Sequence, residues 1–204
     1  MYIKKNKKPF IYYKLFSCNI YLSVPKFIIG IINYSSYLLI LIEAVHIPEF
    51  FKFLQKHTQF NYLIDVYCVD KVTVTERFFC QYLMRQLLNN KSSYAANNTV
   101  LQLNVRVVLA DFGKCVSVSE NFVAAVYAER EIWDMFGVYF NNHKDLRRLL
   151  NDYGFIGYPL RRDFPLSGYV EVRYDDSNQR IITEPVELTQ EYRNFDFLNP
   201  WSFN

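Results

Sequence analysis

Alternating hydrophobic and polar positions predict a strand near the middle of the chain. In TVLQLNVRVVLA (99–110), apolar and polar residues alternate with the period of a half-buried strand. An apolar run at 36–47, SYLLILIEAVHI, predicts a second, buried strand that ends before a proline. The residues that share the apolar face of the first strand are Leu101, Leu103, Val105 and Val107.

The neighbouring segments predict one helix and two further strands. PEFFKFLQKH (48–57) opens with a proline, which suits the first turn of a helix, and places its apolar residues on one side. FNYLIDVYCVDKVTV (60–74) has a strand pattern, and RFFCQYLMRQLL (77–88) favours a strand over a helix. The polar segment KSSYAANN (91–98) predicts a loop.

This order of elements is typical of an α+β fold, in which a mostly antiparallel sheet has helices packed on one side. We therefore divide the chain into a basic N-terminal extension (1–35), an α+β domain (36–150) and a long extended C-terminal arm (151–204). The arm has few helix signals but many aromatic residues, which are costly to leave in water. We expect them to dock on a partner protein, although the arm wrapping its own domain is the alternative. The docking candidates are Phe164, Tyr169, Phe195, Phe197 and Trp201.

A predicted helix after residue 116 carries an unusual group of charges. Ser117 and Glu120 have the spacing of a capping box at its start. Winding the helix from there places Glu129 and Arg130 on the apolar side and Glu131 on the outer side. The apolar side is formed by Phe122, Val123, Val126 and Trp133.

Charges on a buried helix face need partners, because an unpaired buried charge costs several kcal/mol. Asp134 lies one turn beyond Arg130 and is its predicted partner. The candidate partners of Glu129 are Arg147, Arg148, Arg161 and Arg162.

The net charge of +3 is unevenly distributed. Residues 1–42 contain lysines but no Asp or Glu, so the remainder of the chain is net acidic. The basic end suits contact with anionic lipid or nucleic acid, or a solvated terminus, and the sequence leaves these open.

Cysteine and histidine spacing argues against metal and disulfide sites. The four cysteines form no CxxC pair, and the three histidines are scattered. We expect reduced thiols that act as small apolar side chains.

The apolar runs near residues 26–47 are too short for a membrane-spanning helix, which needs about 20 residues. The first arginine is Arg77, which argues against an Arg-rich transit peptide, so we expect a protein made in the compartment where it works.

Common catalytic motifs are absent from the sequence. It contains no G-x-S-x-G elbow, no Walker A loop and no G-x-G-x-x-G. Glu129 and Glu131 point to different sides of the predicted helix, which does not suit an acid–base pair. A lone histidine such as His143 is more often structural than catalytic. The arginine pairs could bind phosphate or carboxylate groups, but nearby acidic residues offer internal partners first.

The segment EREIWDMFGVYFNNHKDLRRLL (129–150) resembles the signature of the thirty-kilodalton subunit family of respiratory complex I. The signature has Glu-Arg-Glu, then an acid followed by two apolar residues, a His, an Arg and two leucines, all of which occur here. GYPLRRDFPLSGYVEVRYD (157–175) and FDFLNPW (195–201) resemble further segments of the family, so that the resemblance covers about residues 36–204. Tyr158 stands where the family usually has His, and Lys144 where Pro commonly follows the signature His.

The resemblance implies a non-catalytic core subunit of mitochondrial NADH:ubiquinone oxidoreductase. Such a subunit lies on the matrix side of the inner membrane, peripheral to it, and holds redox subunits in register near the quinone site. The implied partners are the subunit known by its mass of forty-nine kilodaltons and the neighbouring matrix-arm subunits, with no nucleic acid. The chain itself would hold no catalytic residue, metal or cofactor, while the whole complex holds FMN, iron–sulfur clusters and ubiquinone.

We predict that an ion-pair network fixes the signature helix and its loops and so shapes a docking surface. Its predicted members are Glu129, Arg130, Glu131, Asp134, His143, Arg147, Arg148, Arg161, Arg162 and Asp163. One alternative is the equivalent subunit of a related membrane-bound hydrogenase or chloroplast-type dehydrogenase, against which the mitochondrial-like C-terminus argues. Another is a nucleic-acid-binding protein that uses the basic N-terminus.

Overall fold

The computed structural model describes residues 8–34, 36–58, 60–72, 76–86, 101–190, 192, 193 and 195. The chain divides into two compact units, Met1–Asp163 and Phe164–Asn204. The first unit contains three α-helices, a short 3-10 helix and seven strands, and the second contains two strands, within the described ranges. They are α1 (Lys8–Ser23), the 3-10 helix (Pro25–Phe27), β1 (Ile28–Asn33), β2 (Leu38–Ile42), α2 (Ile47–His57), β3 (Tyr62–Asp70), β4 (Phe78–Arg85), β5 (Gln102–Leu109), β6 (Lys114–Val116), α3 (Ala125–Phe136), β7 (Tyr139–Asn141), β8 (Val170–Asp175) and β9 (Arg180–Pro185).

A five-stranded sheet in the order β1-β2-β5-β4-β3 forms the centre of the first unit. β2 and β5 pair in parallel, and the other neighbours are antiparallel. The predicted strands are β2, β3, β4 and β5, and the four residues predicted to share a face of the last strand are all buried. The predicted α+β class and its mostly antiparallel sheet are therefore confirmed. The predicted loop at 91–98 lies outside the described residues.

One hydrophobic core joins the sheet to the three helices. It includes Tyr13 of α1, Phe51 of α2, Ile132 of α3 and Val105 of the central strand. Full burial of a large side chain such as Phe51 contributes roughly 1.5–3 kcal/mol. α2 forms where the sequence predicts a helix, with its proline in the first turn.

The first unit begins before the predicted domain boundary at residue 36. β1 pairs with β2 as the edge strand of the sheet. Tyr13 is a buried residue of α1, and its hydroxyl donates to the Ser36 carbonyl (3.0 Å) and accepts from the Gln102 N–H (2.9 Å). The inward-facing apolar residues of α1 and β1 therefore belong to the core rather than to an extension. At the other end, the first unit runs to Asp163, beyond the predicted boundary at 150.

The predicted start of the signature helix is wrong. α3 begins at Ala125 and has no side-chain cap, and residues 119–124 form turns. Ser117 does not cap a helix, because α3 begins eight residues later; its hydroxyl instead donates to Glu129. Val123, predicted to lie on the apolar side, is 82% exposed.

Candidate functional site

The signature helix α3 packs on the edge strand β3, and several of its charged residues are buried. The helix ends at Gly137, which adopts a left-handed conformation (φ 74°). A Cβ at this position would lie 2.7 Å from the Tyr158 ring and 2.8 Å from Arg161 Nη2. Glycine therefore allows the segment around Tyr158 to close over the end of the helix.

Glu129 points into the core and is held by groups that precede the helix. Its carboxylate accepts hydrogen bonds from the Ser117 hydroxyl (2.5 Å) and the Val118 N–H (2.8 Å). Burial disfavours the charged form and raises the carboxyl pKa to about 7, although both hydrogen bonds act in the opposite direction. Glu129 thus connects α3 to the segment that directly follows β6.

His143 lies beside Glu129 and is held by backbone groups at both ring nitrogens. Its Nε2 is 3.8 Å from the Glu129 carboxylate, and both side chains are buried. Nε2 donates to the Val126 carbonyl (3.2 Å), and Nδ1 accepts from the Asp145 N–H (3.1 Å). The arginines predicted to pair with Glu129 bind elsewhere.

Asp134 is fully buried and gathers the loop that follows the signature histidine. One carboxylate oxygen accepts from the backbone N–H groups of Leu149, Leu150 and Asn151 at 3.1, 2.7 and 2.9 Å. The other accepts from Arg148 Nη1 (3.1 Å) and the Asn151 amide (2.9 Å). Burial alone would raise the pKa of this carboxyl, but the hydrogen bonds outweigh burial and lower it.

Arg130 pairs with backbone rather than with Asp134, which corrects the predicted partner. Its guanidinium donates to the carbonyls of Arg147 (3.2 Å) and Arg148 (3.4 Å). Arg147 forms an exposed pair with Asp145 at 2.9 Å. Arg130 and Asp134 lie one turn apart on α3 and bind the same loop, Arg130 through its backbone carbonyls and Asp134 through its backbone N–H groups.

A second cluster of charges lies at the end of the β3–β4 hairpin, and the sequence did not reveal it. Arg77 is bound by Asp70 (2.9 Å), Asp111 (3.0 Å) and Asp163 (3.0 Å). Burial opposes the charge on Asp70, but the Arg77 hydrogen bond and two backbone N–H groups outweigh it and lower the pKa to about 2. The acids come from three separate parts of the chain, so no local motif announces them.

Arg161 and Arg162, the second predicted arginine pair, also contact this cluster. The Arg161 guanidinium donates to the Phe136 carbonyl (2.6 Å) and lies 3.4 Å from Asp111, while the Arg162 N–H donates to Asp70 (3.0 Å). The segment leading to Asp163 is therefore fastened to both α3 and the sheet.

The predicted residues are brought together as two clusters. Around α3 lie Glu129, Arg130, Asp134, His143, Arg147 and Arg148, and around Arg77 lie Arg161, Arg162 and Asp163. Glu131 is exposed on the outer face of α3, and within the described part of the chain it joins neither cluster through an ion pair. Besides Arg77, Asp70 and Asp111, sequence reasoning missed Asn151 as a ligand of the Asp134 carboxylate.

A cationic, aromatic groove opens beside the end of α3. It has a volume of about 400 Å³. Phe112 at its rim is 88% exposed. The Trp133 ring contacts those of Tyr139 and Tyr158 edge-on, with centroids 5.8 and 5.9 Å apart. The lining residues are Phe112, Gly113, Lys114, Trp133, Gly137, Tyr139, Tyr158 and Arg161.

The described docking aromatics of the second unit lie before and after its two-stranded hairpin. Phe164 and Tyr169 pack edge-on with centroids 5.3 Å apart, and Tyr169 is 60% exposed. The side chain of Phe195 is also largely exposed. The other two predicted docking aromatics, Phe197 and Trp201, lie outside the described residues.

Two further features bear on function. Within the described ranges, no helix is long and apolar enough to cross a membrane. Across the same residues, no group of three or more His, Cys, Asp or Glu side chains could hold a metal ion.

Curated relatives align along most of this chain. NADH-ubiquinone oxidoreductase subunit 9 of Dictyostelium discoideum is 40% identical over 190 residues, which cover 88% of this chain and 84% of that protein. The protein of the same name from Reclinomonas americana is 41% identical and covers 92% and 88%. A protein of Beta trigyna named NADH dehydrogenase [ubiquinone] iron-sulfur protein 3 is 47% identical and covers 72% of each chain.

Two solved structures share the fold. A trypsin-resistant fragment of Nqo5 superposes with a TM-score of 0.51 at 24% identity, covering 65% of this chain and 99% of the fragment. A chain of the membrane-bound sulfane sulfur reductase, an archaeal respiratory membrane complex, superposes with a TM-score of 0.61 at 20% identity, covering 75% and 85%.

A family profile also matches this chain, over a span that includes the signature segment 129–150. The profile described as respiratory-chain NADH dehydrogenase, 30 Kd subunit, matches residues 40–170, from β2 to the start of β8. This span contains both charge clusters and the groove. The chain therefore belongs to the thirty-kilodalton subunit family of respiratory-chain NADH dehydrogenase.

Proposed function

We propose that this chain is a core subunit of the matrix arm of mitochondrial respiratory complex I. The observation that carries the proposal is the family match across 40–170, together with relatives named NADH-ubiquinone oxidoreductase subunit 9 that align along most of their length. In this function the chain supports electron transfer from NADH to ubiquinone by holding the redox subunits in register near the quinone site.

The buried charges support a scaffolding role for the chain. Asp134 receives hydrogen bonds on both oxygens, Glu129 is closed off by Ser117 and Val118, and His143 uses both ring nitrogens. Polar groups that already form their hydrogen bonds within the chain stabilise its local structure and are not free to bind a substrate. We assign the chain no catalytic residue, so the NADH:ubiquinone reductase activity belongs to the complex.

The cysteines do not fit an iron–sulfur cluster, although one relative carries that term in its name. Such a cluster is usually held by about four converging thiolates. Cys18 is exposed on α1, whereas the other three cysteines are buried in the core. Burial raises the pKa of Cys115 to about 12, which opposes the thiolate that a cluster requires. We therefore assign the FMN, iron–sulfur clusters and ubiquinone of the complex to other subunits.

The groove beside α3 and the hairpin of the second unit are the surfaces that we assign to partners. The groove combines exposed Phe112 with the cations Lys114 and Arg161, which suits an acidic, partly apolar segment. The hairpin exposes Val172, Tyr174 and Ile181, which are 66, 57 and 70% accessible. The partner assigned to them is the forty-nine-kilodalton-type subunit, on the matrix side of the inner mitochondrial membrane.

A native gel of gently solubilised mitochondrial membranes tests the proposal. The band stained for NADH oxidation is excised, and its proteins are identified by mass spectrometry. We expect this chain in that band together with a forty-nine-kilodalton-type subunit. Migration alone, with nucleic acid, or with hydrogenase-type partners would contradict the proposal.

A charge reversal in the groove tests the docking surface separately. Lys114→Glu should weaken incorporation of the chain into the NADH-active band, because it places like charge against an acidic partner segment. Lys52→Glu on α2 is the matched control, since that lysine is also exposed. Equal incorporation of the two variants would remove the groove from the interface.

A further inference from the structure

Two cysteines face each other across neighbouring strands of the sheet. Cys68 of β3 and Cys80 of β4 are register partners, and their sulfur atoms lie 3.5 Å apart. Cys68 is 8% exposed and Cys80 is fully buried. The pair is separate from the groove and from the groups that bind Glu129 and Asp134.

The backbone pairing places these residues at a position that a disulfide can bridge. The Lys71 N–H donates to the Arg77 carbonyl at 2.9 Å, which marks that pair as hydrogen-bonded. Hydrogen-bonded and non-hydrogen-bonded pairs alternate along antiparallel strands, so Cys68 and Cys80 form a non-hydrogen-bonded pair. The Cα atoms of such pairs are about 4.5 Å apart, within the range of about 4.4–6.8 Å found for disulfides.

We propose that Cys68 and Cys80 form a redox modification site that a hydroperoxide converts to a disulfide. The two thiols lose two electrons and two protons, and the peroxide O–O bond takes up the electrons. With hydrogen peroxide, the sulfur–sulfur bond forms as two water molecules leave, so that atoms and electrons balance. A thiol reductant reverses the step by exchange.

The position of β3 decides which thiol reacts first. β3 is an edge strand of the sheet, and Cys68 is the more exposed of the two residues. Its thiolate attacks a peroxide oxygen and becomes a sulfenic acid, with release of the first water. The Cys80 sulfur then attacks the Cys68 sulfur, and its proton leaves with the hydroxyl group as the second water. The Cys80 thiol stays protonated before this step, because its neighbour Cys68 and burial raise its pKa.

The bridge would fasten the strands that carry the second charge cluster. Asp70 and Arg77 lie at the adjoining end of the same hairpin and hold Asp163. Cys68 and Cys80 are 12 residues apart, so the bond closes a short loop. A disulfide across a loop of this size should raise the melting temperature by roughly 6–12 °C in a chain of this length.

Oxidation of the folded full-length chain tests the proposal. The purified chain is treated with hydrogen peroxide, unfolded in the presence of a maleimide, digested and analysed by mass spectrometry. The expected product is a peptide linking Cys68 to Cys80, about 2 Da lighter than its two reduced halves, with neither thiol alkylated. Dithiothreitol should restore both alkylation sites and reverse the rise in melting temperature.

Two other cysteines serve as controls for whether oxidation is specific to the Cys68–Cys80 pair. Cys115 is equally buried, but its sulfur faces the Tyr82 hydroxyl at 3.5 Å, so it should remain alkylatable. Cys18→Ser removes the exposed thiol and should leave the linkage unchanged. Alkylation of both Cys68 and Cys80 after Cys18 has been fully oxidised would overturn the proposal. Because the measurement uses the isolated chain, its outcome is independent of assembly into a respiratory complex.

Discussion

Glu129 and Asp134 are buried carboxylates on one helix with opposite surroundings. Asp134 receives backbone N–H groups and the cation of Arg148, which lower its pKa. Glu129 receives a hydroxyl and one N–H but no cation, and burial raises its pKa to about 7. The number and charge of the donors therefore decide which carboxylate is stable as an anion.

Glu129 should give the stability of the chain a pH dependence of unusual sign. Its pKa rises from 4.5 in the unfolded chain to about 7 in the folded chain. The stability associated with its proton is present below pH 4.5 and is lost as pH rises through about 7. The loss amounts to about 3 kcal/mol. Urea unfolding of wild type and Glu129→Gln from pH 4.5 to 8 measures this contribution as the difference in slope. Identical slopes would contradict the assignment.

Asp134→Asn should destabilise the chain by about 3 kcal/mol at neutral pH. The Asn side chain has one acceptor oxygen, so backbone N–H groups of the 149–151 loop lose a partner and Arg148 loses its anion. Glu131→Gln is the matched control, because Glu131 lies exposed on the same helix. Denaturant midpoints of the two variants should differ clearly, and equal midpoints would show that the Asp134 contacts contribute little.

At the scale of elements, the β3–β4 hairpin and the segment 158–163 stabilise each other. Asp70 binds Arg77 and also accepts from the Arg162 N–H. Burial acts against its charge, yet these bonds lower its pKa from 3.8 to about 2. The stabilisation is present above pH 3.8 and is lost as pH falls through about 2.

Asp70→Asn should therefore cost about 2 kcal/mol and release the 158–163 segment. Hydrogen exchange at the Arg162 amide is the direct measurement, since this N–H donates to the lost carboxylate. Asp111→Asn offers a comparison, because Asp111 also binds Arg77 but its side chain is 40% exposed against 3% for Asp70. Faster exchange in Asp111→Asn than in Asp70→Asn would contradict this ranking.

The elements predicted correctly from the sequence are those whose apolar residues recur with the regular spacing of a strand or of a helix. β5 and α2 follow alternation and helical spacing closely, because one face of each lies on the core. The start of α3 was misjudged because Ser117 has the spacing of a cap but binds a residue of the following helix. Arg77 could not be connected to Asp163 from sequence, since only the folded chain brings them to 3.0 Å.

At the scale of the whole molecule, the two units differ in how much they bury. The first contains the core cluster and both charge clusters, whereas the strands β8 and β9 are almost entirely exposed or half-exposed. An isolated two-stranded hairpin is marginally stable in water. The first unit therefore buries a core of its own, whereas the hairpin of the second unit buries little.

Ending the chain after Asp163 should separate folding from assembly. The truncated chain keeps all residues of the core cluster and the Asp163 carboxylate that binds Arg77, so its melting temperature should stay within a few degrees of the full chain. It should nevertheless be lost from the NADH-active band of a native gel, because the exposed hairpin is the assigned docking surface. Normal incorporation of the truncated chain would place the essential contacts in the first unit, at the groove beside α3. A fall in melting temperature of tens of degrees would show instead that residues after Asp163 support the first unit directly.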